Sequence, residues 1–213
     1  MFALTPRDLW GKILDCASGP ASLNAELTVE GHKVTSCDPL YSFTAEEIRA
    51  LIDATFDALV DNARVAYDEF LWRDIESPEH LGEVRMAAMQ RFLADFPEGL
   101  KEGRYRPDAL PHLGFDDDKF DLALCSAFLF TYTEQLSLDF HIAAIEEMCR
   151  VASEARIFPL LKGYGGPSPY VGPVMNRLHD RGYTATFREV PYEFQRGGNK
   201  MLAVKRPGTT ATV

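Results

Sequence analysis

A chain of 213 residues with 46% hydrophobic content is long enough to bury a sizeable core in one compact domain without disulfide staples. Its formal net charge of −10, with no Lys/Arg run longer than two residues, argues against nucleic acid or an anionic membrane as a partner. No stretch approaches the ~20 apolar residues of a membrane span, and the opening MFALTPRDLW lacks a basic region followed by an apolar core, so a cytoplasmic protein is expected.

In chain order, residues 12–15 read as a short buried strand that ends at Asp15 and releases into the turn Ala17-Ser-Gly19-Pro. Gly19 has no β-carbon, so it accepts positive φ or lets a ligand touch the backbone. A helix is expected over 21–30, then a second strand over 33–38 that ends in Asp38. Asp38 lies 23 residues after Asp15, near where nucleotide-binding βαβ units place the acid that accepts ribose hydroxyls. An ordinary crossover with a turn glycine and a solvated aspartate remains the bland alternative.

A long helical interval follows. Thr44 with Glu47 forms a capping-box pattern, and Ile48, Leu51, Ile52, Phe56, Leu59, Val60, Ala63 and Phe70 mark one face of a helix expected to reach about Trp72. Ser77-Pro78 starts a second helix, which Pro97 is expected to end. The 44–96 insertion begins at the ligand-binding edge, so it serves either as packing or as a lid. Beyond it come a weak strand near 104–106, a strand over 120–126, a helix over 138–151, a strand over 155–161 and a helix over 174–181. Two last strands, 185–193 and 201–205, are joined by Arg196-Gly-Gly-Asn199 with no room for a helix, so they should pair antiparallel. The tail 207–213 is expected to fray. Alternating strand and helix give an α/β fold with a mostly parallel sheet covered on both faces.

The four cysteines, at 16, 37, 125 and 149, show no disulfide or zinc spacing. Cys16, Cys37 and Cys125 should come close together at the strand ends, where a small hydrophobe is the expected role and no metal is assigned.

Taken together, ILDCASGP, VTSCDP, PDALPHLGFDDDKFDLALCS and the closing antiparallel pair resemble the class I S-adenosylmethionine-dependent methyltransferases. The resemblance implies a Rossmann-like seven-stranded sheet with an antiparallel last strand. It also implies S-adenosylmethionine as cofactor, with Asp15, Ala17 and Gly19 at its methionine end and Asp38 on the ribose diol. Asp108 would contact the adenine amino group, Leu40 is a candidate flank of the ring, Pro39 and Ala109 are further candidate cofactor contacts, and Ser126 and Phe128 would lie along the cofactor or substrate. Here Gly-x-Gly-x-Gly is reduced to Ala17-Ser-Gly19-Pro-Ala21, which a cofactor without a pyrophosphate tolerates and which counts against a dinucleotide.

The reaction implied is in-line methyl transfer to a small-molecule oxygen or nitrogen. Tyr132 and His141 are the candidate proton-handling residues, with Glu134 and Asp139 as further carboxylates in the same segment. Tyr41, Phe128 and Phe130 are candidate aromatic faces for the sulfonium, and Tyr41 is also a candidate flank of the adenine. Tyr164 and Tyr170 are candidate substrate contacts, and 192–195 is a further candidate segment for contact with the acceptor. Two alternatives stay open: an NAD(P)-binding oxidoreductase and a non-catalytic S-adenosylmethionine-binding interaction protein. Oligomeric state is not readable.

Overall fold

A computed structural model of the chain describes residues 1–163 and 165–208; the tyrosine at 164 and the tail from 209 onward lie outside the described residues. Seven strands are present: β1 (Lys12–Cys16), β2 (Lys33–Cys37), β3 (Tyr105–Arg106), β4 (Phe120–Ser126), β5 (Ala152–Phe158), β6 (Thr184–Glu189) and β7 (Lys200–Lys205). They form one sheet in the order β3-β2-β1-β4-β5-β7-β6. The first five run parallel, and β7 is antiparallel to both its neighbours, β5 and β6. The hairpin expectation therefore holds.

Among the described residues, six α-helices accompany the sheet: α1 (Pro6–Trp10), α2 (Leu23–Val29), α3 (Ala45–Val65), α4 (Pro78–Lys101), α5 (Leu138–Val151) and α6 (Val171–Asp180). The twofold strand period divides the core. Leu14, Ala123 and Cys125 join the cluster that holds Ile142, Ile145 and Met148 of α5 and Val174 and Leu178 of α6. Ile13, Leu122 and Leu124 join the opposite cluster with Leu27 of α2 and Phe2.

Strand β5 spans Ala152–Phe158 rather than the expected 155–161, because α5 passes directly into it, and β6 ends at Glu189, short of the expected 193. Two helices also depart from the sequence expectation. Helix α3 stops at Val65 and a 3-10 turn over Tyr67–Glu69 takes the chain to Phe70, so the helix does not reach Trp72. Phe70 instead stacks on Phe194 at 4.8 Å, and the Leu71 N–H donates to the Phe194 carbonyl at 2.7 Å. Tertiary pairing with the β6–β7 connection overrides the helical stripe.

Helix α4 runs through Pro97 to Lys101. Pro97 lacks one N–H, yet the last turn is held by tertiary contacts: the Arg104 N–H donates to the Gly99 carbonyl at 2.8 Å, and Phe96 packs on Tyr105. A β-carbon at Gly99 would come within 2.4 Å of the Tyr105 ring, so the close approach requires glycine.

The insertion makes its own core. Ile48 and Ile52 of α3, Phe92, Leu93 and Phe96 of α4, Tyr41 and Tyr105 are buried together. Burying each such large side chain contributes about 1.5–3 kcal/mol. Helix α1, which the periodicity reading passes over, starts at a capping box between Thr5 and Asp8. The Asp8 carboxylate holds Arg156 of β5 through two hydrogen bonds, at 3.0 and 3.1 Å, and Arg156 also donates to the Phe2 carbonyl.

Candidate functional site at the carboxyl edge of the sheet

Cys16 stands in register with Cys37 on one side and Cys125 on the other, so β1, β2 and β4 end side by side. There β1 turns sharply. Ala17 has φ +51 and Gly19 φ +57, and Ala127 just past β4 has φ +50. A non-glycine residue held in the left-handed region costs about 1–2 kcal/mol, so two such alanines at neighbouring strand ends mark a constrained edge.

The Gly19 turn is tied to the residues after β2. The Gly19 N–H donates to Asp38 Oδ2 at 2.9 Å, and the Tyr41 hydroxyl donates to the Gly19 carbonyl at 2.7 Å. Asp38 Oδ1 accepts the Leu40 N–H at 2.8 Å, which caps the 3-10 turn Pro39–Ser42. Each Asp38 oxygen therefore keeps a second lone pair for another donor. The outer side of the turn is open: a β-carbon added at Gly19 would meet no atom within 4 Å.

Beside the turn, Asp15 is 3% exposed and accepts the Ser18 hydroxyl at 2.5 Å. Burial pushes its carboxyl up to about 6, the Ser18 hydrogen bond pulls the other way, and the Asp38 charge adds to the rise. The thiols beneath are also held protonated. The hydrogen bond to Cys37 and burial push Cys16 well up, and burial pushes Cys125 up to about 12. Among the described residues, no group of three or more His, Cys, Asp or Glu side chains is placed to hold a metal ion.

One strand over, past β4 and β5, lies a cleft of about 530 Å³ lined by Ala127, Thr131, Tyr132, Glu134 and Gln135 on one side. Pro159, Lys162 and Gly163 after β5, Gln195 of the hairpin connection, and Phe70 and Arg85 of the insertion complete it. The hairpin connection is fastened on both sides: Gln195 Nε2 donates to the Gly163 carbonyl at 2.9 Å, and the Arg196 N–H to the Glu69 carbonyl at 2.8 Å. Thus the insertion walls the cleft through its connecting segment and the start of α4.

Several sequence-predicted residues stand elsewhere. His141 is fully buried, with Nδ1 2.8 Å from the Ser137 carbonyl and Nε2 2.8 Å from the Leu129 carbonyl. It is a packing residue of α5 and not a base open to the cleft. Phe130 is fully buried and presents no face to the edge, while Phe128 is half-buried and packs on Tyr132 and Phe140. The Tyr41 ring is enclosed by Phe92, Phe96 and Tyr105, so only its hydroxyl serves the turn. Leu40 leans on the same cluster, while Pro39 is exposed.

Asp108 is engaged by its own loop, accepting the Gly114 N–H at 2.7 Å and pairing with Arg106 at 3.2 Å. Ala109 bridges to His112. Ser126 sits at the edge with its hydroxyl 3.8 Å from the Met1 sulfur. Asp139 is exposed in the first turn of α5, and Tyr170 stacks edge-on against His141 at 5.2 Å, so it is not a cleft contact. The Tyr164 expectation lies outside the described residues.

Tyr132, in contrast, is 47% exposed and lines the cleft. Arg85, Gln135 and Thr131 are cleft residues that the sequence reading missed. Arg85 stands on the polar side of an amphipathic helix, where no periodicity separates a site residue from a solvated one.

No protein-family model matches the chain. The uncharacterized protein MJ0045 of Methanocaldococcus jannaschii is 32% identical over 207 residues, spanning 97% of this chain and 90% of that protein. Among solved structures, a SAM-dependent methyltransferase from Methanosarcina mazei is 15% identical, covering 96% of this chain and 98% of that one, with a TM-score of 0.49. The 1,6-didemethyltoxoflavin-N1-methyltransferase of Burkholderia thailandensis, solved with S-adenosylhomocysteine, is 13% identical over 92% of this chain and 71% of that one, at 0.46. The magnesium protoporphyrin IX methyltransferase of Synechocystis PCC 6803, also solved with S-adenosylhomocysteine, is 13% identical over 92% and 74%, at 0.43. With its strand order and single reversed strand, the chain has a Rossmann-like α/β fold, and it belongs to one family with the M. jannaschii protein.

Proposed function

We propose that the protein is an S-adenosylmethionine-dependent methyltransferase acting on a small-molecule acceptor. The observation that carries this reading is the Gly19 turn: open on its outer side, tied to Asp38 and Tyr41, and set beside the buried Asp15 carboxyl. When bound, the cofactor supplies a methyl group on a positively charged sulfonium. The residues present suit it. Asp38 keeps lone pairs for a ribose diol, the turn leaves room for the methionine end, and a carboxyl at Asp15 favours a nearby cation once ionised.

The cleft past β4 and β5 then takes the acceptor. Its walls come from Phe70, Pro159 and Tyr132, and its polar groups from Thr131, Gln135 and Gln195. Positioning does most of the work in such a displacement, since the reacting carbon is already activated. Tyr132 and Glu134 are the side chains placed to hold or take the acceptor's proton.

Calorimetry with S-adenosylmethionine, S-adenosylhomocysteine and NADH tests the cofactor, with micromolar binding of the first two expected. Release of S-adenosylhomocysteine over a panel of small metabolites then separates an enzyme from a binding protein. Binding of NADH in place of both sulfur nucleosides would overturn the reading.

A further inference from the structure

Building on the methyltransferase reading, we propose that the acceptor taken up by the cleft carries an oxyanion, a carboxylate or a phosphate, that docks on the Arg85 guanidinium. Three charged side chains line the cleft: Arg85, Glu134 and Lys162. Lys162 and Glu134 offset one another at 3.8 Å. Among the described residues Arg85 forms no hydrogen bond and no ion pair, and its charge is felt at the Tyr192 phenol.

Acidic residues outnumber basic ones, 32 to 22, and most arginines of the chain are drawn into ion pairs with them. Arg64, Arg91, Arg104, Arg150, Arg156 and Arg181 all hold carboxylates within 3.0 Å. Of the arginines without such a partner, Arg85 is the one that lines this cleft.

Its position is built from both ends. Arg85 projects from the second turn of α4, whose start is fixed by the Ser77 cap on the His80 N–H at 3.1 Å. Opposite, Gln195 is immobilised by its bond to Gly163. An uncompensated cation in a concave site on an otherwise acidic protein concentrates the local field, and its planar fork of donors matches a carboxylate or phosphate. The apolar body of the ligand would lie on Phe70 and Pro159, with Tyr132, Thr131 and Gln135 offering neutral hydrogen bonds.

Benzoate, phenyl phosphate and neutral benzamide are the probes, titrated by ligand-observed NMR with S-adenosylhomocysteine present. We expect at least one anion to bind about tenfold tighter than benzamide, as one charge-assisted hydrogen-bonded pair would give. The better anion tells carboxylate from phosphate. Arg85→Gln should erase the preference, Arg85→Lys should restore part of it, and thermal melts report that both variants fold. Equal binding of anion and benzamide, binding of no probe at millimolar concentration, or a preference that survives in Arg85→Gln each overturns the proposal. An anion preference that depends on Arg85 in a protein that binds no S-adenosylhomocysteine keeps the anion site and overturns the cofactor reading instead.

Discussion

At the ends of β1 and β2 nearly every polar group is answered from within the chain: Asp38 accepts two backbone N–H groups, Tyr41 donates to Gly19, and Ser18 donates to Asp15. Two strands away the cleft is finished differently, with Arg85 unpaired and the Tyr132 side chain 47% exposed. The turn is preorganised by the Asp38 and Tyr41 side chains. The cleft leaves its hydrogen-bonding capacity to whatever enters. A shared cofactor shape and a variable acceptor would place such demands on the two halves of one sheet edge.

The sharpest way to probe the rigid half is Asp15. Its carboxyl is held up at about 6, against an ordinary value of 3.8, so its contribution to stability is fully present below 3.8 and is lost as pH rises through 6. Keeping it ionised at neutral pH costs about 3 kcal/mol. Asp15→Asn should therefore melt progressively higher than the parent as pH is raised from 4 to 7, read by circular dichroism; parallel pH curves would show that Asp15 is not under strain. Subtracting the parent curve removes the opposite slope from Asp8, Glu147 and Glu154, whose arginine partners hold them low.

Next in size is Asp38→Ala, which removes both backbone clamps and the proposed ribose acceptor. Binding of S-adenosylhomocysteine should weaken by about 1.5–3 kcal/mol, through loss of charge-assisted hydrogen bonds. Calorimetry on a folded variant checks it, and an unchanged affinity would refute the ribose assignment.

Gly19→Ala comes third. No protein atom opposes the new methyl, so the stability loss is the left-handed strain alone, about 1–2 kcal/mol, with a fall in Tm of about 2–8 °C. The methyl also fills the open side of the turn, so nucleoside affinity should drop as well.

The smallest effect belongs to Tyr41→Phe. The ring keeps its place among Phe92, Phe96 and Tyr105, and only the bond to Gly19 goes, at about 1 kcal/mol. A slightly lower Tm with weaker nucleoside binding would tie the α3–α4 insertion to the turn; a lower Tm with unaltered binding would confine Tyr41 to packing.

Much of this architecture was legible from local pattern. The strand over Phe120–Ser126 and the helix over Leu138–Val151 have the bounds expected of them, because apolar period and flanking cap residues agree there. Phe70 and Pro97 misled for one reason: each obeys a local rule that a distant contact outweighs, the Phe194 stack in one case and the Gly99–Tyr105 packing in the other. His141 looked like a base because of its residue type and its place after β4. Its buried ring is defined by carbonyls of Ser137 and Leu129, which no spacing announces.

By itself the sequence determined the strand-and-helix alternation, the glycine turn, the acid after the second strand and the antiparallel close, since each depends on residues within a few positions of one another. Only the tertiary structure decided what surrounds Asp38 and Tyr41, which aromatic rings are core, and how Phe70, Arg85, Tyr132, Lys162 and Gln195 come to share one cleft. Those residues are brought together by the parallel strands ending at one edge and by the insertion fastened across to the hairpin connection, a closure of long loops that no local periodicity encodes.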